Sequence, residues 1–331
     1  MNFFDKIVDR AVKNKKTIVL PEGFDRRIIE AASMIGKLGF ANICILGNFF
    51  EIKKSAGNLD ISAAKIIDHL KDNCRFDLYS NMFYEMRKSK GVTKEQVREI
   101  MKNPLYFGAM MVKSKDVDGM VAGASNSTAD TLRCALQTVK TAPETKFFST
   151  CTVLVMPDKN FGDEGVCIFT DTAMYETPTP DELAQIGISA AKFIKALNNS
   201  EPKVAFLSYS TNGSAKSGST KKVIDAIKIA KKIDADIIMD GEIQFDAAVI
   251  PAIAKTKFPR CKVPGNANVF VFPDLNSANI GCKIAERFGK AELYGPVSQG
   301  LASPINDLSR GCTPKDIAGM VAITAVQASN N

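Results

Sequence analysis

The sequence predicts an α/β protein: two α/β domains built on parallel-rich sheets, with a ligand cleft between them. Three observations lead there. The chain has 331 residues, and single cores stop growing at roughly 250–300 residues, so two domains of ordinary size are expected. Short apolar runs alternate with helix-length segments from end to end. Those runs are near-continuously apolar, the pattern of strands buried on both faces of a parallel sheet.

In chain order, Thr17–Pro21 reads as a short buried strand, Arg26–Leu38 as a helix and Ala41–Leu46 as the next strand. Residues 63–71 follow a helical pattern that turns His69 toward solvent. Later strands are expected at Gly119–Gly123, Ser149–Met156, Gly165–Phe169, Lys203–Ser208, Ile237–Asp240, Asn268–Phe272 and Glu292–Tyr294. Thr179-Pro180-Asp181-Glu182 opens a helix with an N-cap, a first-turn proline and an acidic third position. Crossings between domains are expected near Thr141–Thr145 and near Gly295-Pro296. The last segment then returns to the first domain, giving domains of 1–143 plus 296–331 and of 144–295.

Composition removes several classes of function. Lys and Arg number 43 against 36 Asp and Glu, a net charge of +7. That excess is spread along the chain rather than held in a basic arm, so it suits small anions at least as well as nucleic acid. No apolar run nears the roughly 18 residues of a membrane helix, and the start lacks a signal-peptide layout; a soluble cytoplasmic protein is expected. The 8 cysteines include no CxxC pair and sit mostly in apolar stretches, as buried reduced thiols do. His69 is the single histidine. Zinc sites built on several histidines are therefore impossible, and acid–base chemistry falls to Asp, Glu, Lys, Tyr or Cys.

Three loop-to-helix junctions each follow an expected strand, where open α/β sheets place their sites. In Val121–Arg133, the hydroxyls of Ser127 and Thr128 open a helix whose first turn suits an anion; plain capping by Ser127 with Asp130 explains the same residues. Ser208–Thr220 nearly matches a P-loop, with Gly213, Gly218, Ser219 and Thr220 in place, but lacks the lysine after Gly218. It reads as a hydroxyl-rich loop near a phosphate, Ser214 included, or as an ordinary loop. Gly295–Asp316 is a glycine-punctuated segment that delivers Asp307, Ser309, Arg310 and Asp316 close together. Arg310 offers a bidentate clamp for phosphate or carboxylate, and Ser309 a donor for a developing oxyanion. Asp316 also fits as the third residue of a cap box begun by Thr313. Cys312 has no histidine partner nearby and reads as a buried thiol.

At these junctions the chain resembles the phosphate acetyltransferase (phosphotransacetylase) family in its short, catalytic-domain-only form. The matching stretches are Ile18–Gly23, Gly119–Gln137, Ser208–Ala215, Met239–Asp246, Pro264–Asn268 and Gly295–Asp316, the last being the most specific. The resemblance implies an isocitrate dehydrogenase-like fold, usually a homodimer. It implies reversible acetyl transfer between phosphate and coenzyme A, with CoA, acetyl phosphate and phosphate as the small-molecule partners. No nucleic acid, membrane, metal or prosthetic group enters. Ser309, Arg310 and Asp316 match the family's catalytic positions, and Arg87 and Arg133 its coenzyme A contacts.

The residue types suit that reaction. The thiol, with a pKa near 8.5, must lose a proton before attacking the acetyl carbonyl. Without histidine, Asp316 is the natural base, Arg310 turns to the phosphate, and Ser309 meets the charged oxygen. Direct attack in a ternary complex is expected, with an acyl-enzyme on Cys312 or Ser309 as the alternative route. Phosphate butyryltransferase, a noncatalytic CoA or acetyl phosphate sensor, and a dehydrogenase of the same fold are the other readings; a dehydrogenase would need aspartate metal ligands and a nicotinamide site that the sequence does not supply.

Overall fold

The computed structural model describes residues 2–143 and 145–329. Glu144, inside the first expected crossing, lies outside them. Two compact units emerge, one within Met1–Thr145 and Leu301–Asn331, the other within Lys146–Gly300.

The first unit begins with α1 (Phe3–Lys13), β1 (Lys16–Leu20), α2 (Arg26–Leu38), β2 (Ala41–Leu46), α3 (Phe49–Ala56) and β3 (Ala64–Ile67). It continues through α4 (Asn73–Arg87), α5 (Lys94–Met101), α6 (Pro104–Lys113), β4 (Gly119–Ala122) and α7 (Thr128–Thr138). The second unit holds β5 (Ser149–Val155), β6 (Val166–Thr170), α8 (Pro180–Asn198), β7 (Lys203–Leu207), α9 (Gly218–Ile233) and β8 (Ile238–Ile243). After these come α10 (Phe245–Val249), α11 (Pro251–Lys257), β9 (Val269–Val271), α12 (Leu275–Arg287) and β10 (Glu292–Gln299). The chain then returns to the first unit with β11 (Ile305–Asp307) and α13 (Pro314–Ser329). Gly295-Pro296 thus lies inside β10.

Every pairing in the first unit's sheet, ordered β11-β4-β1-β2-β3, is parallel. The Ile18–Leu20 end of β1, β4 and the buried stretch of α6 are almost wholly apolar, as a sheet covered on both faces requires. α13 packs on β1 and β4 with α1 and α2 beside it, while α4, α6 and α7 pack together elsewhere on the unit. In this order the chain leaves β1 toward β2 on one side and reaches β4 on the other. The gap between β1 and β4 is therefore the switch point, where parallel sheets open a crevice at their carboxyl ends.

The second unit's sheet runs β10-β5-β6-β9-β7-β8; β5 pairs antiparallel with both neighbours and the other pairings are parallel. α8 opens with the expected box: Thr179 Oγ1 accepts from the Glu182 amide, and the Glu182 carboxylate accepts from the Thr179 amide. Gly187 on α8 has no side chain because a Cβ there would meet the Phe206 ring at 2.6 Å.

The helical expectation for residues 63–71 fails. Ala64–Ile67 is a strand in register with Ile43–Leu46, since the β-branched Ile66-Ile67 pair suits a pleated edge. His69 follows in a turn and is buried, not solvent-facing. Its Nε2 lies 2.9 Å from the Lys102 carbonyl oxygen, which only accepts, so Nε2 carries the proton. Among the described residues, no helix is long and apolar enough to cross a membrane.

Candidate functional site

Glu22 leaves β1 at the switch point and is fully buried. Its carboxylate accepts from the amides of Gly123, Ala124, Ser125 and Asn126 and from Asn126 Nδ2, at 2.7–3.0 Å. Buried carboxylates persist only with such a full set of donors. The result is a fixed loop that feeds straight into α7. Gly23 and Gly123 make the approach possible: a Cβ on Gly23 would lie 2.4 Å from the Leu46 carbonyl, and Gly123 has φ +107.

Arg27 joins this loop to the segment after β11. It pairs with Asp25 at 2.7 Å and donates to the Ala124, Arg310 and Cys312 carbonyls at 2.7–3.1 Å. Ser125 donates to Asp25 as well, and the Arg27 guanidinium beside it holds the Asp25 carboxyl below its ordinary range. Ser127 and Thr128 are thereby brought into one neighbourhood with Ser309 and Arg310.

Each of these residues has a defined place. Ser127 caps α7, its hydroxyl accepting from the Asp130 amide at 3.2 Å. Thr128 donates to Asp307 at 2.6 Å. Ser309 and Arg310 are exposed, and among the described residues the Arg310 guanidinium has no hydrogen-bond or ion-pair partner. Asp316 uses Oδ2 to accept from the Thr313 amide and hydroxyl, both at 2.8 Å, so the cap box is real. Its Oδ1 carries no bond among the described residues. The capping and chemical readings are therefore compatible, one on each oxygen. Cys312 is buried, and burial pushes its thiol up to about 11 against the pull of Arg27. That removes the thiolate a nucleophile needs.

Arg87 ends α4 and Arg133 lies on α7, where it makes an exposed 2.8 Å pair with Asp130. Burial raises the phenol of Tyr106 on α6, and the charges of both arginines pull the other way. Tyr106 donates to Gln137 at 3.0 Å.

Ser214 lies in the second unit, in the loop after β7. That loop is organised by buried Glu242, whose Oε1 accepts from Ser210 Oγ and the Gly213 amide, each at 2.8 Å. Ser214 closes the turn by accepting from the Thr211 amide at 3.0 Å. The near P-loop is thus shaped by a carboxylate rather than left to wander.

Sequence reasoning did not single out Glu22, Arg27 or Tyr106, and it set Asp307 in the loop with Ser309. Asp307 is instead the last residue of β11 and fully buried. A carboxylate directly after a continuously apolar strand was the available signal for Glu22.

Residues 2–325 match the phosphate acetyl/butaryl transferase family. The phosphate acetyltransferase of Acetivibrio thermocellus is 51% identical over 99% of this chain and 98% of its own. That of Bacillus subtilis is 42% identical over 99% of each. A crystal structure of a phosphotransacetylase from Streptococcus pyogenes superposes with a TM-score of 0.91 at 39% identity, covering 99% of this chain and 98% of that one.

Glu22→Gln puts an NH₂ group against amides that need an acceptor. The variant is expected to lose about 2–4 kcal/mol of stability, read as a lower urea midpoint at unchanged slope.

Proposed function

The chain belongs to the phosphate acetyl/butaryl transferase family, and from that premise we propose that it moves an acetyl group between phosphate and coenzyme A: acetyl-CoA + phosphate = acetyl phosphate + CoA. The observation that carries this reading is the convergence after β4 and β11 of several hydroxyls with a guanidinium and a carboxylate oxygen that have no partner among the described residues. These are the groups a thiol-to-phosphate acyl transfer needs, in a chain whose single histidine is buried elsewhere. Acetyl is favoured over butyryl because relatives of 42–51% identity across the whole chain are phosphate acetyltransferases.

In this reading Asp316 Oδ1 takes the thiol proton, and the thiolate attacks the acetyl carbonyl in a ternary complex. Arg310 clamps the phosphoryl oxygens with its two-pronged fork. Ser309 donates to the oxygen that gains charge, and the C–O bond to phosphate then breaks. Phosphate is already a good leaving group and requires no acid. Ser127 and Thr128, at the positive end of α7, meet phosphoryl oxygens. Arg87 and Arg133 hold the phosphates of coenzyme A. The raised thiol of Cys312 supports direct transfer over an acyl-enzyme on that residue.

A cytoplasmic homodimer completes the proposal. α12 supports a dimer, because Ile280 and Ile284 along it and Phe288 just beyond its end form a stripe exposed by 57%, 52% and 87%. Such a stripe on a soluble helix marks a contact with another molecule. Phe288→Glu is expected to shift the protein to monomer in sedimentation velocity; an unchanged dimer would place the interface elsewhere.

The direct test mixes purified protein, coenzyme A and acetyl phosphate and follows thioester absorbance, with butyryl phosphate in parallel. Rapid turnover of acetyl phosphate is expected. Coenzyme A binding without turnover of either donor would turn the reading to a sensor.

Asp316→Asn is expected to lower kcat about 10²–10⁴-fold with little change in KM, as for loss of a general base. Thr313→Ala separates the two uses of that carboxylate: it costs about 1 kcal/mol of stability and far less turnover. Cys312→Ala is expected to turn over, and a dead enzyme would restore the covalent route.

A further inference from the structure

Asp307 stands out among the buried ionisable groups that the reaction above leaves unused. It is fully buried at the end of β11. Its Oδ2 is 2.6 Å from Thr128 Oγ1, while its Oδ1 has no hydrogen-bond partner. The Gly123 amide is engaged on Glu22 at 3.0 Å and the Thr131 hydroxyl on the Ser127 carbonyl at 3.3 Å, so Thr131 and the Leu308 amide exert only a partial pull on this carboxyl. Gly123 lies against this oxygen, so close that a Cβ there would sit 2.2 Å from Oδ1. A buried carboxylate with one unsatisfied oxygen favours its neutral form. Glu22, five-fold satisfied at the other end of the same loop, shows what full compensation looks like.

We propose that Asp307 is a positioning residue whose proton sets the direction of the Thr128 hydroxyl, and so decides whether Thr128 donates to a phosphate oxyanion. With the carboxyl neutral, the Oδ2 proton bonds to Thr128 Oγ1 and the threonine proton is free for the anion. With the carboxylate charged, that same proton turns inward to Oδ2, and Thr128 presents only lone pairs to the ligand. No bond other than these hydrogen bonds changes.

Burial pushes Asp307 up to about 7, with Thr128, Thr131 and the Leu308 amide pulling down and the Glu22 charge pushing further up. The surrounding elements add little else. β4 carries no ionisable side chain. α7 has Asp130 and Arg133 at its exposed face and a buried thiol at Cys134. α13 has Lys315 and Asp316 at its start. The sign follows: anion affinity is highest below the Asp307 pKa and falls as pH rises through it.

The inference rests on the reading that Thr128 meets phosphate, and its test separates the two. KM for inorganic phosphate and for acetyl phosphate is measured from pH 6 to pH 8.5 in the wild type, Asp307→Asn, Thr128→Val and Thr128→Ser. Dividing wild-type values by those of Asp307→Asn removes the substrate's own titration. The expected ratio rises about tenfold across neutrality, the worth of one hydrogen bond to a charged group, with the effect in KM rather than kcat. Thr128→Val is expected to hold the weak-binding value at every pH, and Thr128→Ser to restore the profile. A flat ratio overturns the proposal. If Asp307→Asn does not fold, the ratio of wild-type KM to Thr128→Val KM must rise about tenfold across the same range, and a constant ratio again overturns it. Calorimetric titration with inorganic phosphate repeats the comparison without turnover. A pH-dependent Thr128 effect on binding in an inactive protein would sink the acetyltransferase reading and leave this one standing; an active enzyme indifferent to Thr128→Val would do the reverse.

Discussion

The Glu22 carboxylate is the interaction on which the first unit's functional end depends. It sits fully buried where β1 ends, in the gap where the sheet changes direction. Four consecutive amides of the loop after β4 turn toward it, which fixes that loop to within hydrogen-bond tolerance. An apolar residue there would leave those amides unsatisfied, and an isolated carboxylate would not tolerate burial. Because the loop is fixed, α7 starts at a fixed place, and its first turn carries Ser127 and Thr128. Arg27 extends the constraint by taking carbonyls from the same loop and from residues 310 and 312. Two segments nearly 200 residues apart in sequence are thus held by one acid and one guanidinium.

The second unit repeats the device with different partners. Glu242 gathers the loop after β7 through Ser210 and Gly213. Asp171, at the end of β6, accepts from Thr150 and from the amides of Ala173, Met174 and Tyr175, against a burial that raises its pKa. In each case a buried carboxylate at or just beyond the end of a strand converts a glycine- and hydroxyl-rich connection into a defined surface. Loops that carry chemistry on α/β sheets require such rigidity, because reactive groups must be positioned before substrate arrives.

The elements legible in the sequence were those whose signal is local. Arg26–Leu38 carries Asp25 as its cap and Gly39 at its end, so both limits are written in neighbouring residues. Ala41–Leu46 and Ser149–Val155 are apolar runs long enough to exclude other assignments. Residues 64–67 were misread because four residues hold too little periodicity to separate a strand from a helical turn, and pairing with β2 decides it. The same limit hid Glu22, Arg27 and Tyr106. Their roles depend on which loop lies opposite, and that is a property of sheet order rather than of local pattern. Asp316 shows the intermediate case: the cap box was readable, but not that it occupies a single oxygen.

Glu22 and Asp307 together show how a chain with one buried histidine supplies proton chemistry near neutrality. Both are fully buried carboxyl groups at the ends of strands that flank β4, yet one has five donors and the other a threonine and an oxygen without a hydrogen bond among the described residues. Composition treats them alike, and burial alone would treat them alike too. The difference comes from Gly123, whose amide is turned to Glu22 and whose missing side chain admits Asp307 Oδ1 without offering it a donor. A single glycine conformation thus separates a structural anchor from a group that titrates near neutral pH. Selecting which carboxyl is compensated and which is not places a proton-responsive group where a histidine would otherwise be required.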